Sequence, residues 1–269
     1  MVWIVPPPAD VARLNAYIVT PIADDALQRL KERFELGAAL RYNPAVELKI
    51  QHAPAEYLYK SHSYIRAKET EIGREDPFVI IDQHAASDCA VWYVDDFADE
   101  EMVENDGAES TSVLIQILVK ASMLAIVHVN NEIANMTVDE ELASCGVESP
   151  FKEDFIQPEI YGTSEDEDDE RCMFFRDGEV VAELGEFEES TDEDKLNSMM
   201  PRPDVVVRLK PDIATRNGVI SDWTWRDPEA NIEREDVLIK EFPAGSVRLP
   251  ITYDFRFPWP EYKWPAGSL

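Results

Sequence analysis

The sequence predicts an α/β amino-terminal domain, with a mixed, mostly parallel sheet and flanking helices, followed by a β-rich carboxyl-terminal part, α+β over the whole chain. Three observations carry this. Short β-branched runs alternate with helical patterns up to about residue 145. A strongly acidic stretch follows, and from Pro201 the charge becomes nearly balanced and the pattern turns to strands.

Ala16 to Val19 is the first strand candidate, and Thr20-Pro21 can open the helix after it, since proline is tolerated in a first turn. Asp24 and Asp25 suit the positive end of that helix. Its apolar face is Ala26, Leu27, Leu30 and Phe34, with Gly37 as the stop. Val46 to Ile50 alternates as a second strand, and residues 54 to 72 read as a helix or helical loop. Phe78 to Ile81 and Ala90 to Val94 are strands joined too closely for a crossover helix, so they form an antiparallel pair. Asp95 to Glu109 reads as an acidic loop.

Ser112 to Leu142 closes this domain. Val113 to Val119 is polar only at Gln116 and reads as an internal strand buried on both faces. Met123, Ile126, Val127, Ile133 and Ala134 recur at helical spacing, with Asn130 inside the stripe. Asn130 and Asn135 are then structural residues that tie the helix end to neighbouring backbone, because buried amides need partners. Thr137 and Glu140 have capping-box spacing, and Gly146 can end the short helix.

The segments TPIADDALQRL, PFVIID and NEIANMTVDEEL resemble a family of uncharacterised fungal and bacterial proteins that carry a domain of unknown function. In that family a strand leads into an acidic helix start, and the domain closes on an IANM-like segment, here Ile133 to Met136. The similarity spans roughly residues 15 to 145, with Val138 where the family has an aromatic. It implies a domain boundary and no activity.

Three divisions follow: an α/β domain over 1–150, an acidic connector over 151–200, and a β-rich segment over 201–269. Residues 153 to 194 hold 18 acids and two arginines, about half of the chain's net charge of -30. Within the connector, Cys172 to Arg176 and Glu179 to Leu184 read as a hairpin over residues 172–184, turning at Asp177-Gly178. Val205 to Leu209, Val219 to Trp225, Val237 to Phe242 and Val247 to Phe257 are strand candidates, and the aromatic, proline-rich tail is expected to pack on the first domain.

Several function classes are disfavoured. A charge of -30 repels phosphate backbone over most of the surface, so direct nucleic-acid binding is not expected and basic proteins are the natural partners. Cys89, Cys145 and Cys172 are odd in number and widely spaced, without a CxxC pair, which fits a reducing compartment and neither a disulfide framework nor a zinc site. The first residues lack a basic region before an apolar core, and the longest apolar run contains Gln116, Lys120, Ser122 and His128. A cytoplasmic or nuclear protein, neither secreted nor membrane-bound, is the expectation; oligomeric state is not legible.

Nucleophile-elbow, P-loop and dinucleotide fingerprints are absent, and no metal site or cofactor is expected. Ligands in open α/β sheets sit beyond the carboxyl ends of strands, which makes Thr20, Asp82, His84 and Lys120 the candidate catalytic positions. An Asp after one strand and a Lys after another match a receiver-type phosphoacceptor in arrangement, without the clustered acids that would hold its magnesium. Asp82, His84, Asp88 and Cys89 are close in sequence but match no zinc spacing. Glu165, Asp166, Glu167, Asp168, Asp169 and Glu170 are the candidate docking residues for a basic partner. The leading expectation is a non-enzymatic intracellular acidic interaction or scaffold protein. The alternative is a small-molecule-binding protein or enzyme with Asp82 and His84 as its acid-base pair.

Overall fold

The computed structural model describes residues 2–6, 11–38, 40, 44, 46–162, 177–227, 242–254 and 256–269. Its strands are β1 (Trp3–Ile4), β2 (Ala12–Ile18), β3 (Val46–His52), β4 (Phe78–Ile81), β5 (Ala90–Phe97), β6 (Leu114–Lys120), β7 (Asp177–Ala182), β8 (Phe187–Ser190), β9 (Val206–Leu209) and β10 (Val247–Thr252). Its helices are α1 (Asp24–Gly37), α2 (His62–Glu71), α3 (His84–Ser87), α4 (Glu100–Glu104), α5 (Leu124–Glu132), α6 (Val138–Ser144), α7 (Glu193–Asn197) and α8 (Pro211–Arg216).

The chain divides into two compact units that are not contiguous in sequence. One comprises Val11–Leu40, Ala45–Met173 and Tyr262–Leu269; the other comprises Met1–Asp10, Arg41–Pro44 and Phe174–Glu261. This differs from the linear division at residues 150 and 200, because strand pairing joins segments from both ends of the chain. The final eight residues belong to the α/β unit, where Tyr262 donates to Glu47 Oε1 at 3.2 Å and Leu269 N donates to Ile50 O at 3.0 Å.

The α/β unit holds a five-stranded sheet of order β3-β2-β4-β5-β6. β2 runs parallel to β3 and β4, while β5 is antiparallel to both β4 and β6, so the sheet is mixed. Tyr17, Val19, Phe78, Ile80 and Val94 pack with Ile65 of α2 on one face. On the other, Tyr93 faces His128 of α5, and α1 packs against α3 and α5.

Helix α1 begins at Asp24, with Asp24 and Asp25 in its first turn, three residues after the expected Thr20-Pro21 opening. Ala26, Leu30 and Phe34 are buried on a single i, i+4 stripe. Full burial of a side chain such as Leu30 or Phe34 stabilises by roughly 1.5–3 kcal/mol. At Gly37 an added Cβ would lie 1.8 Å from the carbonyl oxygen of Ser122, so only glycine lets this helix end approach the β6–α5 junction.

β6 is the edge strand of the sheet, not the internal strand expected from its apolar run. Its outer edge is nevertheless paired, by Gln157 and by a parallel bridge from Tyr161 to Val119. The helix after it also differs from expectation. Leu124, Ala125, Val127 and His128 form its buried face, whereas Ile133 lies beyond its end and is 67% exposed. The predicted stripe fails because the helix stops at Glu132, with Ala134 in the left-handed region at φ 51°. The capping box of Thr137 and Glu140 is present, and Gly146 at φ 80° follows α6. The segment expected as an acidic loop is strand to Phe97 and then contains α4, capped by Asp99.

In the other unit β1, β7 and β10 form an antiparallel sheet of order β1-β7-β10, and β8 pairs with β9. Val180, Ala182, Val207, Leu209, Val247 and Leu249 form its core. The expected Asp177-Gly178 hairpin turn is not there. Both residues lie within β7, opposite Thr252 and Ile251, while residues 172–176 lie outside those described. Gly178 is needed for close approach instead, since a Cβ would stand 2.6 Å from the Tyr253 ring. Pro250 sits on β10, an edge strand, where a missing N–H is tolerated. Val219 to Trp225 forms isolated bridges at Val219 and Thr224 instead of a strand, and residues 237–241 lie outside those described.

Candidate functional site

β2, β3, β4 and β6 all point the same way, because β4 and β6 are each antiparallel to β5. Their carboxyl ends, near Thr20, His52, Asp82 and Lys120, therefore lie along one edge of the sheet, the edge at which such folds place ligands. Two cavities open there. One, of about 650 Å³, has apolar walls from Ile18, Ile22, Leu27 and Leu58 and includes Thr20, whose Oγ1 is buried without a hydrogen-bond partner. The other, of about 420 Å³, lies between α1, α3 and the end of β6, and is lined by Arg29, Arg33, Lys120, Cys89 and Ser122 among others.

Neither of these cavities gathers the four expected catalytic positions. Thr20 lines the first and Lys120 the second, and neither cavity is lined by Asp82 or His84. Asp82 is 7% exposed, and its Oδ1 accepts from the backbone N of His84 at 2.9 Å, the geometry of an Asx turn. The His84 ring instead meets Asp88, with Nδ1 3.3 Å from Oδ2. Ser87 Oγ donates to the same carboxylate oxygen at 2.5 Å. Serine and imidazole thus share one acceptor, and the imidazole is not placed to take the serine proton. Among the described residues no group of three or more His, Cys, Asp or Glu could hold a metal ion.

Sequence reasoning missed the polar groups inside the α/β unit. Glu69, 2% exposed, accepts from Tyr17 at 2.9 Å and Tyr57 at 2.6 Å, and pairs with Arg74 at 3.3 Å. Burial, then the Glu69 carboxylate, pushes the Tyr17 hydroxyl up to about 12. Arg66 is fully buried and donates to the carbonyls of Asp76 at 3.0 Å, Asp95 at 3.1 Å, Glu75 and Arg74. Ile65 and Glu69 are four apart in α2, so a carboxylate on the apolar stripe was the available signal. His62 Nδ1 meets Gln116 Oε1 at 2.7 Å, which makes Nδ1 the donor, and burial lowers the ring's pKa.

Glu141, on α6, is 1% exposed and neither carboxylate oxygen has a hydrogen bond of normal geometry. Burial pushes it up to about 7, opposed by the nearby Asn130 amide and Tyr161 hydroxyl. Asn130 and Asn135 tie the end of α5 together: Asn135 N donates to Asn130 O at 2.9 Å and Asn135 Nδ2 to Asn130 Oδ1 at 3.2 Å. Tyr93 meets His128 Nδ1 at 3.1 Å, and Asn131 bridges Tyr93 to Asp95, whose carboxyl is raised by burial to about 6.

At the opposite edge of the sheet, two acidic segments distant in sequence are joined. Ala108 and Phe151 form a parallel bridge, Glu109 N donates to Phe151 O at 2.9 Å, and Glu153 N donates to Glu109 Oε1 at 3.1 Å. Asp96, Asp99, Glu100, Glu101, Glu104, Asp106 and Glu109 are exposed on the first segment, and Glu148, Glu153 and Asp154 on the second. None of these ten forms an ion pair among the described residues, and Lys152 is the single cation between residues 95 and 156 apart from Lys120. The candidate docking residues Glu165 to Glu170 lie outside the described residues, as do Ser164 and Cys172.

Comparison with protein-family models, curated proteins and solved structures finds no match. The geometry therefore carries the functional argument alone. Trp223 lies between Lys195 and Arg208, Trp225 Nε1 donates to Pro201 O, and Trp259 packs on Tyr253. No helix among the described residues is long and apolar enough to cross a membrane.

Proposed function

We propose that this chain is a non-enzymatic acidic interaction protein that binds a basic partner through the joined segments 95–109 and 148–154. The single observation that carries the reading is the Ala108–Phe151 bridge, which joins two segments that together carry ten exposed acids without an ion pair among the described residues. Carboxylates held together in this way repel one another, and a lysine- or arginine-rich surface relieves that repulsion while gaining attraction. The engagement of Asp82 with the His84 backbone and of the His84 ring with Asp88 weighs against an Asp82–His84 acid-base pair. Residues 163–170 add charge of the same sign to the chain.

The test is titration of the full chain with a lysine-rich peptide. Neutralising Glu100, Glu101, Glu104 and Glu153 to glutamine is expected to weaken binding by about tenfold or more and to flatten its salt dependence. Deleting residues 163–170 is expected to weaken binding less. Binding that survives the glutamine variant intact, or that is lost only with the deletion, would show the reading to be wrong for these segments.

A further inference from the structure

The crossover from β2 to β3 runs through α1, and the crossover from β3 to β4 runs through α2. The two helices lie on opposite faces of the sheet. Ile65 of α2 packs with Tyr17 and Phe78 on one face, while α1 packs against α5, whose His128 meets Tyr93 on the other. β2 and β3 are adjacent and parallel, so the chain leaves their carboxyl ends in opposite directions and a crevice opens between the two loops. The cavity of about 650 Å³ is that crevice, with Thr20, Ile22 and Leu27 on the α1 side and His52, Leu58 and Tyr59 on the α2 side. We propose that it is a binding site for a small, predominantly apolar molecule that carries no negative charge. The site is independent of the acidic docking segments, and all of its residues belong to the α/β unit.

Place, size and walls support the assignment. Open α/β sheets bind ligands in the crevice outside the carboxyl ends of adjacent parallel strands, where the following helices diverge to opposite faces. The volume falls within the roughly 300–1,000 Å³ usual for small-molecule sites, whose walls are mainly apolar with a few polar groups. Leu58, Tyr59 and Leu269 are large apolar side chains left exposed, and all three line this one cavity. The apolar body of a ligand would take that surface out of water.

The crevice is also pre-formed. Val19 N donates to Ile81 O and Ala53 N to Ile18 O, each at 3.1 Å, which fixes where both loops begin. In the second loop Tyr57 N donates to Pro54 O at 2.8 Å, and the buried Tyr57 hydroxyl donates to Glu69 at 2.6 Å. Tyr59 follows in the left-handed region at φ 60°, a strained conformation of the kind that ligand-binding loops retain. Leu269 N donates to Ile50 O at 3.0 Å and so holds a further wall. Among the described residues no lysine or arginine lines the cavity, whereas Asp24 does, in a chain of net charge -30. An anionic ligand would meet repulsion there and no compensating cation.

The experiment is titration of the full chain with indole and cyclohexanol as neutral probes and indole-3-acetate as the anionic match, read through backbone amide shifts. At least one neutral probe is expected to saturate a single site, with shifts on residues 18–27 and 52–59. Indole-3-acetate should bind about tenfold more weakly than indole, or less tightly still. Tyr59→Gly removes one wall at a backbone that suits glycine, so the chain stays folded and probe binding should weaken by about threefold or more. Leu58→Asn should act likewise, and Leu184→Ser, at an exposed apolar residue of the other unit, should change nothing. Absence of saturable binding by both neutral probes overturns the site. Binding unchanged in both Tyr59→Gly and Leu58→Asn, or shifts centred on other residues, overturns it as well. Indole-3-acetate binding as tightly as indole overturns the charge assignment.

Discussion

Gln157 closes the outer edge of β6 by exchanging two hydrogen bonds with the backbone of Leu118. Leu118 N donates to Gln157 Oε1 at 2.7 Å, and Gln157 Nε2 donates to Leu118 O at 2.9 Å. A side-chain amide thus takes the place of a neighbouring strand and covers an edge that would otherwise offer itself for pairing. We expect Gln157→Ala to cost about 1–3 kcal/mol, because it strands a buried backbone donor. Gln157→Glu should cost as much, since a carboxylate can accept from Leu118 but cannot donate back. Urea unfolding of the two variants checks this; a glutamate variant as stable as the parent would contradict it.

The same edge explains why the sequence was misleading there. The apolar run from Val113 to Val119 reads as internal because its edge is covered, and the cover lies some forty residues later in Gln157 and Tyr161. Local patterns were sufficient where the forces are local: Phe78–Ile81 as a strand, Asp24 and Asp25 at the start of α1, and the Thr137–Glu140 capping box. They failed where partners are remote. Asp177-Gly178 has the composition of a turn, yet β7 is held in place by Trp3–Ile4 and Val247–Thr252, and Gly178 answers to the ring of Tyr253. The cation-lined cavity joins Arg29 and Arg33 to Lys120, and the acidic edge joins residues 95–109 to 148–154; neither is a spacing that a linear reading can recognise.

Glu141 should make stability depend on pH in the direction opposite to a paired carboxylate. Its folded pKa, about 7, lies above the ordinary 4.5, so between those values the folded state holds more protons than the unfolded state. Stability therefore falls as pH rises through this window, with the charged form buried at higher pH. Glu141→Gln is expected to stabilise by about 2–3 kcal/mol at pH 8 and by little at pH 4.5. Asp95, raised to about 6, adds to the same trend at slightly lower pH. Thermal unfolding of parent and variant at the two pH values measures it, and an equal shift at both would contradict the assignment.

Asn130 couples to this group as well as to the end of α5. Asn130→Leu removes the acceptor for Asn135 Nδ2 and an amide that draws the Glu141 pKa down. We expect a loss of about 1 kcal/mol, larger at pH 8 than at pH 5. Unchanged thermal unfolding at pH 8 would contradict the structural role.

Arg66 is expected to tolerate no substitution, lysine included. Its guanidinium donates to carbonyls of Arg74, Glu75, Asp76 and Asp95 at zero exposure, and its plane lies over Phe78 at 5.3 Å. An ammonium has three donors and no planar face, so Arg66→Lys leaves carbonyls unpaired and should cost about 2–4 kcal/mol. Denaturant unfolding reads the loss; a change below the error of the measurement would contradict the account of this site.

The central claim is that the joined acidic segments form the docking surface. The most direct measurement is the footprint of a bound lysine-rich peptide on the full chain, mapped residue by residue through backbone amide shifts. The account predicts perturbations concentrated on residues 99–109 and 148–154, fading as salt is raised. A footprint confined to residues 163–170, or one on the carboxyl edge of the sheet, would contradict it.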